Sequence, residues 1–205
     1  MNYPTIVISF CPTFERLAES QAGYFTAKQA LEAGMARTTL RHHARPGGRF
    51  ERIRPGLYRL RHFPSTAHEH VVAAWLPLRN SEAVVSHESA LDLYGLSDVI
   101  PRAVHLTVAR TRRGQRPRAG VHFHTREHPP GRSELRVLEG VTVTSLERTI
   151  IDSLEAGTQP DQIELAVDQA LVRGMTTPRR LRAAAAGRTS RAQDFIDRVA
   201  ARTAA

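Results

Sequence analysis

The sequence predicts an α+β protein, in which a small N-terminal domain of helices and a β-hairpin precedes a mixed α/β domain with a helical tail. Amphipathic segments that start at capping residues and end at glycine or proline predict helices along the chain. Short alternating apolar segments between them predict strands. A length of 205 residues with 41% hydrophobic residues suits two modest domains with buried cores.

The first domain is expected to begin with three short helices. Their predicted bounds are residues 13–23, 26–34 and 36–45. The first two end at a glycine, which favours helix termination. The second begins at a capping box, in which Thr26 and Gln29 each bond the backbone N–H of the other. Pro46, followed by two glycines, ends the third helix.

Two short strands, RFERI and GLYRL, are predicted after the third helix, with a Pro-Gly turn between them. Their candidate buried residues are Phe50, Ile53, Leu57 and Leu60. Three helices and a hairpin within about 60 residues are typical of a winged helix-turn-helix domain, which binds DNA. We assign this domain to residues 1–62, with residues 1–12 as an N-terminal arm.

The second domain is expected to span residues 67–205. Apolar periodicity stops over residues 61–70, where Pro64 and Ser65 interrupt it, and this segment is the predicted linker. The first helix of the second domain is predicted over residues 68–79. Its apolar stripe consists of Val71, Val72, Trp75 and Leu76.

Strands and capped helices are predicted to alternate in the second domain. The segment AVVSHESALDLYGL couples a short strand to a helix that Ser86 caps and Gly95 ends. The segments VHLTV and VHFHT, residues 104–108 and 121–125, alternate as strands do.

The segment GVTVTSLERTIID predicts a further strand and helix. Thr144 and Glu147 are expected to form the capping box of this helix. Arg148 and Asp152 lie one turn apart and can form an ion pair. The residues expected in the core are Ile150, Ile151 and Leu154.

The tail from residue 161 onward is expected to be entirely helical. One helix is predicted to start at Thr177, which Pro178 follows at the first helical position. Another is predicted to start at a capping box of Ser190 and Gln193.

The charge of the chain predicts a polyanionic partner. The formal net charge is +9, and only Lys28 among the 29 basic residues is a lysine. A surplus of this size concentrates polyanions around the molecule. A guanidinium group can also donate two hydrogen bonds to a phosphate or to a guanine edge. Nucleic acid is therefore the first partner to consider.

Residues 35–60 carry the strongest candidate nucleic-acid contacts. Seven arginines occur here with Glu51 as the sole carboxylate, so local ion pairs cannot neutralise them. Opposite Leu40, the third helix is expected to present arginine, threonine and histidine, which suit the major groove. The predicted contacts to double-stranded DNA are Arg37, Thr38, Thr39, Arg41, His42, Arg45, and on the wing Arg49, Arg52 and Arg54. A merely solvated basic face is the alternative.

A second basic segment, ARTRRGQRPRAG, lies between the strands VHLTV and VHFHT. Candidate additional nucleic-acid contacts are Lys28, Arg110, Arg112, Arg113, Arg116 and Arg118. The segment contains no acidic residue, which favours a phosphate partner. A solvated loop explains its composition nearly as well.

The ten histidines of the chain raise the question of a metal site. His122 and His124 face the same way on a strand, and His128 follows nearby. Because the sequence offers them no cysteine or evident carboxylate partner, we interpret them as exposed imidazoles and predict no bound metal and no other cofactor.

Enzymatic activity is not expected from the motifs of the sequence. The segment HESAL departs from the H-E-x-x-H pattern of zinc proteases. The chain also contains no phosphate-binding loop of the Walker type, no G-x-G-x-x-G and no G-x-S-x-G.

A cytoplasmic protein without a membrane partner is expected. Cys11 is the sole cysteine, so an internal disulfide framework is excluded. The first residues lack the basic start and long apolar stretch of a signal peptide. No run of about 18 apolar residues occurs.

Both halves of the chain resemble the AbiEi family of antitoxins. VVSHESALDLYGL, VHLTV and GVTVTSLERTIID, in this order, resemble the C-terminal domain of the family. FTAKQALEAGMARTTLRHHARPGGRFERIRPGLYRL resembles its winged-helix domain. The resemblance implies a bacterial antitoxin of a type IV toxin-antitoxin system. Such a protein binds inverted repeats in its own promoter and counteracts a co-transcribed nucleotidyltransferase-like toxin, without a tight toxin complex.

Two functions remain open from the sequence. One is this autoregulating antitoxin, with two copies paired on an inverted repeat. The other is a stand-alone winged-helix repressor whose C-terminal domain senses a ligand or dimerises. A toxic neighbouring gene would distinguish the first function from the second.

Overall fold

The computed structural model describes residues 12–110, 119–126 and 129–202. Its contacts divide the chain into two compact units, Met1–Pro77 and Leu78–Ala205. Helices and strands occur in both units, which confirms the predicted α+β class. Among the described residues, no helix combines the length and the apolar character needed to cross a membrane.

The first unit has the element order of a winged helix. Its elements are α1 (Pro12–Glu19), β1 (Tyr24–Thr26), α2 (Ala27–Glu32), α3 (Arg37–His43), β2 (Phe50–Arg54), β3 (Leu57–Leu60) and α4 (Glu69–Trp75). Three described strands form an antiparallel sheet in the order β1-β3-β2. The sequence analysis missed β1, because three residues are too few to show an alternating pattern.

An aromatic cluster forms the core of the first unit. The ring centroids of Phe14 and Phe25 lie 4.9 Å apart, and those of Phe25 and Phe50 also lie 4.9 Å apart, both in edge-on arrangements. Phe25 also stacks on Tyr58 at 5.7 Å. Such pairs stabilise a core beyond the burial of their area. They fix α1 and the sheet against each other.

The predicted capping box at the start of α2 is confirmed. The Thr26 hydroxyl accepts a hydrogen bond of 3.2 Å from the backbone N–H of Gln29. The Thr26 backbone N–H donates to the Gln29 side-chain oxygen at 2.8 Å. The start of α2 is therefore fixed by residues that are neighbours in the sequence.

The prediction that Ile53 is buried is wrong, since this side chain is 40% exposed. On β2, Arg52 pairs with Tyr58 and Arg54 pairs with Leu57, so Ile53 is the extra residue of a β-bulge. A bulge interrupts the alternation of inward and outward residues. Leu57 is buried as predicted, and Tyr58 is buried as well.

The helix α4 lies in the first unit, whereas the sequence analysis assigned it to the second domain. The Arg59 guanidinium forms a salt bridge of 2.8 Å with Glu69 at the start of α4. Arg54 donates a hydrogen bond to the backbone oxygen of Ala73. Both contacts join α4 to the hairpin, and the division between the units follows Pro77.

The second unit contains a mixed sheet and a layer of helices. Its elements after the 3₁₀ helix Leu76–Ser81 are β4 (Val84–Val85), α5 (His87–Leu93), β5 (Val104–Ala109), β6 (Val121–Arg126), a 3₁₀ turn (Arg132–Glu134), β7 (Leu135–Leu138), β8 (Val141–Thr144), α6 (Leu146–Ala156), α7 (Pro160–Val172), α8 (Pro178–Ala185) and α9 (Ser190–Arg202). The described strands follow the order β6-β5-β4-β8-β7. β5 and β6 are parallel, as are β4 and β8, and the other pairs are antiparallel.

The helices α5 to α9 share one apolar core, which confirms the predicted helical tail. Its fully buried residues include Leu91, Leu96, Ile150, Ile151, Ile163, Val167, Leu181, Ile196 and Val199. Apart from Leu96, which follows α5, these side chains come from helices whose sequences show the expected amphipathic pattern. The tail thus completes the core of the second unit.

Three predicted helix caps of the second unit are wrong, namely those of α5, α6 and α9. Ser86 precedes α5, but its hydroxyl accepts from Thr107 at 2.8 Å and makes no capping bond. Ser145, and not Thr144, caps α6 by accepting from the N–H of Arg148. Glu147 is instead buried and accepts from the Thr176 hydroxyl at 2.7 Å.

At the start of α9, the hydroxyl of Thr189 accepts from the backbone N–H of Ala192. The predicted box of Ser190 and Gln193 is therefore wrong, and Thr189 caps the helix alone. Thr177 caps α8 as predicted, since its hydroxyl accepts from the N–H of Arg180. Where two hydroxyl residues are adjacent, the sequence leaves either able to cap.

The predicted ion pair of Arg148 and Asp152 is confirmed, and it belongs to a larger network. Asp152 is fully buried and accepts from Arg148 at 3.0 Å, from Arg126 at 3.2 Å and from Arg188. Arg148 also bonds Glu134 at 2.9 Å. One buried carboxylate thus connects β6, α6 and the segment before α9.

Candidate nucleic-acid interface

The helix α3 is held to the first unit by one side and exposes the other. Leu40 is 4% exposed and packs into the core with Met35, which precedes the helix. His43 is half-buried, with its ring 5.6 Å from that of Phe50. These contacts are spaced along one face, so the opposite face is free to meet a partner.

The exposed face of α3 contains most of the predicted DNA contacts. Its exposed residues are Arg37, Thr38, Arg41, His42 and, just beyond the helix, Arg45. Thr39, also predicted as a contact, is half-buried beside this face. The structure therefore brings the three arginines and their polar neighbours together on one surface, which we call the α3 surface.

The three arginines of the α3 surface carry uncompensated charge. Within residues 12–110, 119–126 and 129–202, no carboxylate pairs with Arg37, Arg41 or Arg45, and none of their side chains forms a hydrogen bond. Like charges at this spacing repel one another unless an anion lies between them. The α3 surface is thus suited to phosphates and guanine edges.

The three arginines predicted on the wing have different surroundings. Arg52 is exposed on β2. Arg49 forms a salt bridge of 3.2 Å with Glu15, in which both side chains are at least one-third exposed. Arg54 is half-buried and donates to the Ala73 carbonyl, so its guanidinium takes part in the packing of α4.

The expectation that the arginines of residues 35–60 lack acidic partners needs correction. Glu15 pairs with Arg49, and Glu69 pairs with Arg59. Both carboxylates lie outside this segment in the sequence and reach it through the fold. No carboxylate of the described residues pairs with the arginines of the α3 surface or with Arg52.

The candidate additional contacts are dispersed. Lys28 is exposed on α2 and lies 3.6 Å from Glu32, one turn later. Arg110 is exposed at the end of β5 in the second unit. The four remaining residues, Arg112, Arg113, Arg116 and Arg118, lie outside the described residues, as does His128.

The position of the wing next to α3 depends on residues that the sequence analysis missed. Gly48 approaches the end of α3 so closely that a Cβ there would overlap the carbonyl oxygen of His43. Arg61 donates a hydrogen bond of 2.7 Å to the Gly48 carbonyl. The two glycines after Pro46 were the only signal in the sequence, and they indicated a helix end.

Electrostatics keep His43 neutral beside the α3 surface. Burial lowers the pKa of His43, and the neighbouring His42 and Arg49 lower it further. A neutral ring suits its contact with Phe50. His43 therefore adds no positive charge beside the three arginines at neutral pH.

A protein-family model matches the segment that contains α3 and the wing. Residues 15–61 match a family profile described as "Transcriptional regulator, AbiEi antitoxin". The AbiEi resemblance is thus confirmed for this segment. The AbiEi-type segment extends from α1 through β3 and includes every predicted contact of α3 and the wing.

Comparisons with individual proteins bear on the fold. No curated protein matches the sequence. Among solved structures, the chain is similar to the RV2827C protein from Mycobacterium tuberculosis, with a TM-score of 0.54 and 14% sequence identity. The similarity covers 93% of this chain and 77% of that chain. At this identity it concerns the fold alone.

Proposed function

We propose that this protein is a DNA-binding antitoxin that represses its own operon and counteracts a nucleotidyltransferase-like toxin encoded beside it. The observation that carries the proposal is the α3 surface, with three uncompensated arginines in a segment that matches AbiEi transcriptional regulators. Such a surface fits a DNA groove, where arginine reads guanine and threonine contacts a thymine methyl or a phosphate.

Arg37, Arg41 and Arg45 supply the affinity in this proposal. Arg37 and Arg41 lie one turn apart on the same face of α3, and Arg45 follows just beyond the C-terminal end of the helix. Contacts to phosphates release counterions, which makes binding steeply dependent on salt. Arg52 extends the contact onto the wing. Two copies bind the two halves of an inverted repeat in the promoter.

The second unit counteracts the toxin in this proposal, without a tight toxin complex. The support for this part is the resemblance of its motifs to the C-terminal domain of AbiEi antitoxins. The family match ends at residue 61, before these motifs. Antagonism of the toxin therefore requires its own experiment.

Co-expression with the neighbouring gene tests both parts of the proposal in the full-length protein. We expect the wild type to restore growth when that gene is expressed from an unrelated promoter. The double variant Arg41→Ala/Arg45→Ala is expected to restore growth equally but to lose repression of a reporter driven by the native promoter. Arg191→Ala, an exposed arginine on α9, is the matched control.

The outcomes separate the two activities. If the neighbouring gene is toxic and the wild type does not restore growth, the antitoxin function is wrong. If repression persists in that case, the protein is a stand-alone repressor with a ligand-sensing or dimerising second unit. If the double variant still represses, α3 does not read the operator.

A further inference from the structure

Four histidines of the second unit meet at the sheet. His105 on β5 and His122 on β6 are register partners, and His124 follows two residues later on the same face. His87 is the first residue of α5, directly after β4, which pairs with β5. We call these four residues the histidine cluster. Parallel pairing of β5 and β6 brings them together from distant parts of the sequence.

Three rings of the histidine cluster present nitrogen atoms to one another. His124 Nε2 lies 3.1 Å from His105 Nδ1. The rings of His87 and His124 stack with centroids 3.4 Å apart. One nitrogen from each of His87, His105 and His124 lies within 4.8 Å of those of the other two. In a tetrahedral zinc site with Zn–N bonds of about 2.0 Å, ligand nitrogens lie about 3.3 Å apart.

His87 is buried with an unpaired ring nitrogen that a ligand would satisfy. The His87 side chain is buried, with a relative exposure of 1%. Its Nε2 has no hydrogen-bond partner among the described residues. Its backbone has a φ of +53°, in the left-handed region that non-glycine residues rarely adopt. An unpaired buried nitrogen and backbone strain both cost free energy, and both recur at functional sites.

The other nitrogen of His87 fixes the orientation of the ring. His87 Nδ1 lies 2.8 Å from the hydroxyl oxygen of Ser86. Thr107 donates to the same oxygen at 2.8 Å. With Nδ1 protonated and donating to Ser86, Nε2 carries the lone pair. This explains why Ser86 does not cap α5.

A carboxylate lies near the outer nitrogen of His105, at a distance longer than a hydrogen bond. His105 Nδ1 faces His124, and His105 Nε2 lies 4.0 Å from a carboxylate oxygen of Glu88. The other oxygen of Glu88 accepts from the Thr158 hydroxyl at 3.0 Å. A carboxylate behind a ligating imidazole orients the ring and increases its basicity.

The histidine cluster borders a cavity of the second unit. A cavity of about 550 Å³ borders His105 and His122 and is lined also by Glu88 and Thr158. An ion in this cavity can reach His105, and the cavity has room for a further ligand.

We propose that His87, His105 and His124 bind a divalent transition-metal ion, with Zn²⁺ as the best-suited ion. The nitrogens involved are His87 Nε2, His105 Nδ1 and His124 Nε2. Three imidazoles suit Zn²⁺ better than Mg²⁺ or Ca²⁺, which prefer oxygen. The stacked rings of His87 and His124 must splay so that their lone pairs converge. A water or a partner group from the cavity completes the tetrahedral coordination.

This proposal does not depend on DNA binding, and it departs from the prediction that no metal is bound. The histidines that the sequence pattern brought together were His122, His124 and His128. Of these, the proposed site uses His124 alone. His122 stacks on His105 with centroids 5.1 Å apart and lies beside the proposed ligands.

The test is titration of the tag-free, full-length protein with Zn²⁺ after treatment with a chelator, followed by calorimetry and metal analysis. We expect one Zn²⁺ per chain and a melting temperature that rises with Zn²⁺. Substitution with Co²⁺ is expected to give the absorption bands of tetrahedral cobalt. His124→Ala is expected to weaken Zn²⁺ binding at least about tenfold, because it removes a ligand.

Two further variants keep the test decisive. Glu88→Gln retains all three imidazoles and is expected to weaken Zn²⁺ binding by about 10-fold to 100-fold through the orientation of His105. His70→Ala, an exposed histidine outside the cluster, is expected to leave binding unchanged. Absence of stoichiometric Zn²⁺ binding, or equal affinity in all variants, would overturn the proposal and indicate a metal-free, hydrogen-bonded histidine cluster.

Discussion

Arg61 donates a hydrogen bond of 2.7 Å to the carbonyl oxygen of Gly48, and this bond ties the last residues of the hairpin to the loop that follows α3. Gly48 in turn lies against the His43 carbonyl, with no space for a Cβ. These two contacts therefore hold the hairpin to the C-terminal end of α3.

Gly48→Ala is expected to destabilise the protein by about 1–3 kcal/mol, because the new Cβ forces backbone atoms apart. Urea denaturation measures the change in the free energy of unfolding. Gly131→Ala is the control, since its backbone φ of −70° accepts alanine and its Cβ would meet no atom closer than 3.9 Å. Equal stability of the two variants would show that the loop relaxes freely.

Leu57 and Ile53 of the hairpin give a direct test of the β-bulge. Leu57→Ala is expected to cost about 2–5 kcal/mol because its side chain is fully buried. Ile53→Ala is expected to cost less than about 1 kcal/mol, because the bulge leaves Ile53 substantially exposed. A similar loss of stability in both variants, measured by thermal or urea unfolding, would contradict the bulge and support the regular strand that the sequence predicted.

Asp152 is expected to be the most sensitive polar position of the second unit. Asp152→Asn leaves Arg126, Arg148 and Arg188 without their shared carboxylate. Breaking a buried ion pair in this way costs about 3–5 kcal/mol, reduced here because Arg126 is one-third exposed. The exposed Asp194→Asn on α9 is the control for chemical unfolding. A loss below about 1 kcal/mol would mean that water replaces the carboxylate.

Acidification is expected to weaken the contact between Glu155 and Arg188. Burial alone would raise the pKa of Glu155, but hydrogen bonds from Arg188 and Thr189 outweigh it and lower this pKa below its usual range. The ionised carboxylate therefore stabilises the fold above the pKa of the unfolded chain, and this stabilisation is lost as the pH falls through the folded-state pKa.

The free energy of unfolding as a function of pH measures this effect. Glu155→Gln is expected to lose less stability than the wild type between neutral pH and pH values below about 4. The exposed Glu19→Gln on α1 is expected to follow the wild type. Parallel pH curves for the wild type and Glu155→Gln would contradict the assigned role of Glu155.

Local features of the fold could be predicted from the sequence, whereas features set by pairing could not. The capping box of Thr26 and Gln29 depends on residues three apart, and it forms as expected. Thr144 and Ser145 are adjacent, and the hydroxyl of either could cap α6. The Thr144 hydroxyl instead forms a hydrogen bond of 2.7 Å with the Thr149 hydroxyl. The exposure of Ile53 follows from the register of β2 on β3, which the pattern of one strand does not contain.

The candidate sites also differ in how far the sequence alone predicts them. The exposed face of α3 follows from one buried residue, Leu40, and the helical repeat. Arg49 and Arg54 have partners on α1 and α4, which are distant in the sequence. These contacts could therefore not be predicted from the sequence around the two arginines. The histidine cluster requires the parallel pairing of β5 with β6 and the position of α5, so periodicity could find only part of it.

The central claim is that the α3 surface binds DNA through its arginines. The most direct measurement is the affinity of the full-length protein for the DNA upstream of its gene over a series of salt concentrations, with Arg191→Ala as the control. Arg41→Ala/Arg45→Ala is predicted to weaken binding and to reduce the slope of log affinity against log salt by about 1.8, or about 0.9 for each lost phosphate contact. An affinity and a slope equal to those of the wild type would contradict the claim.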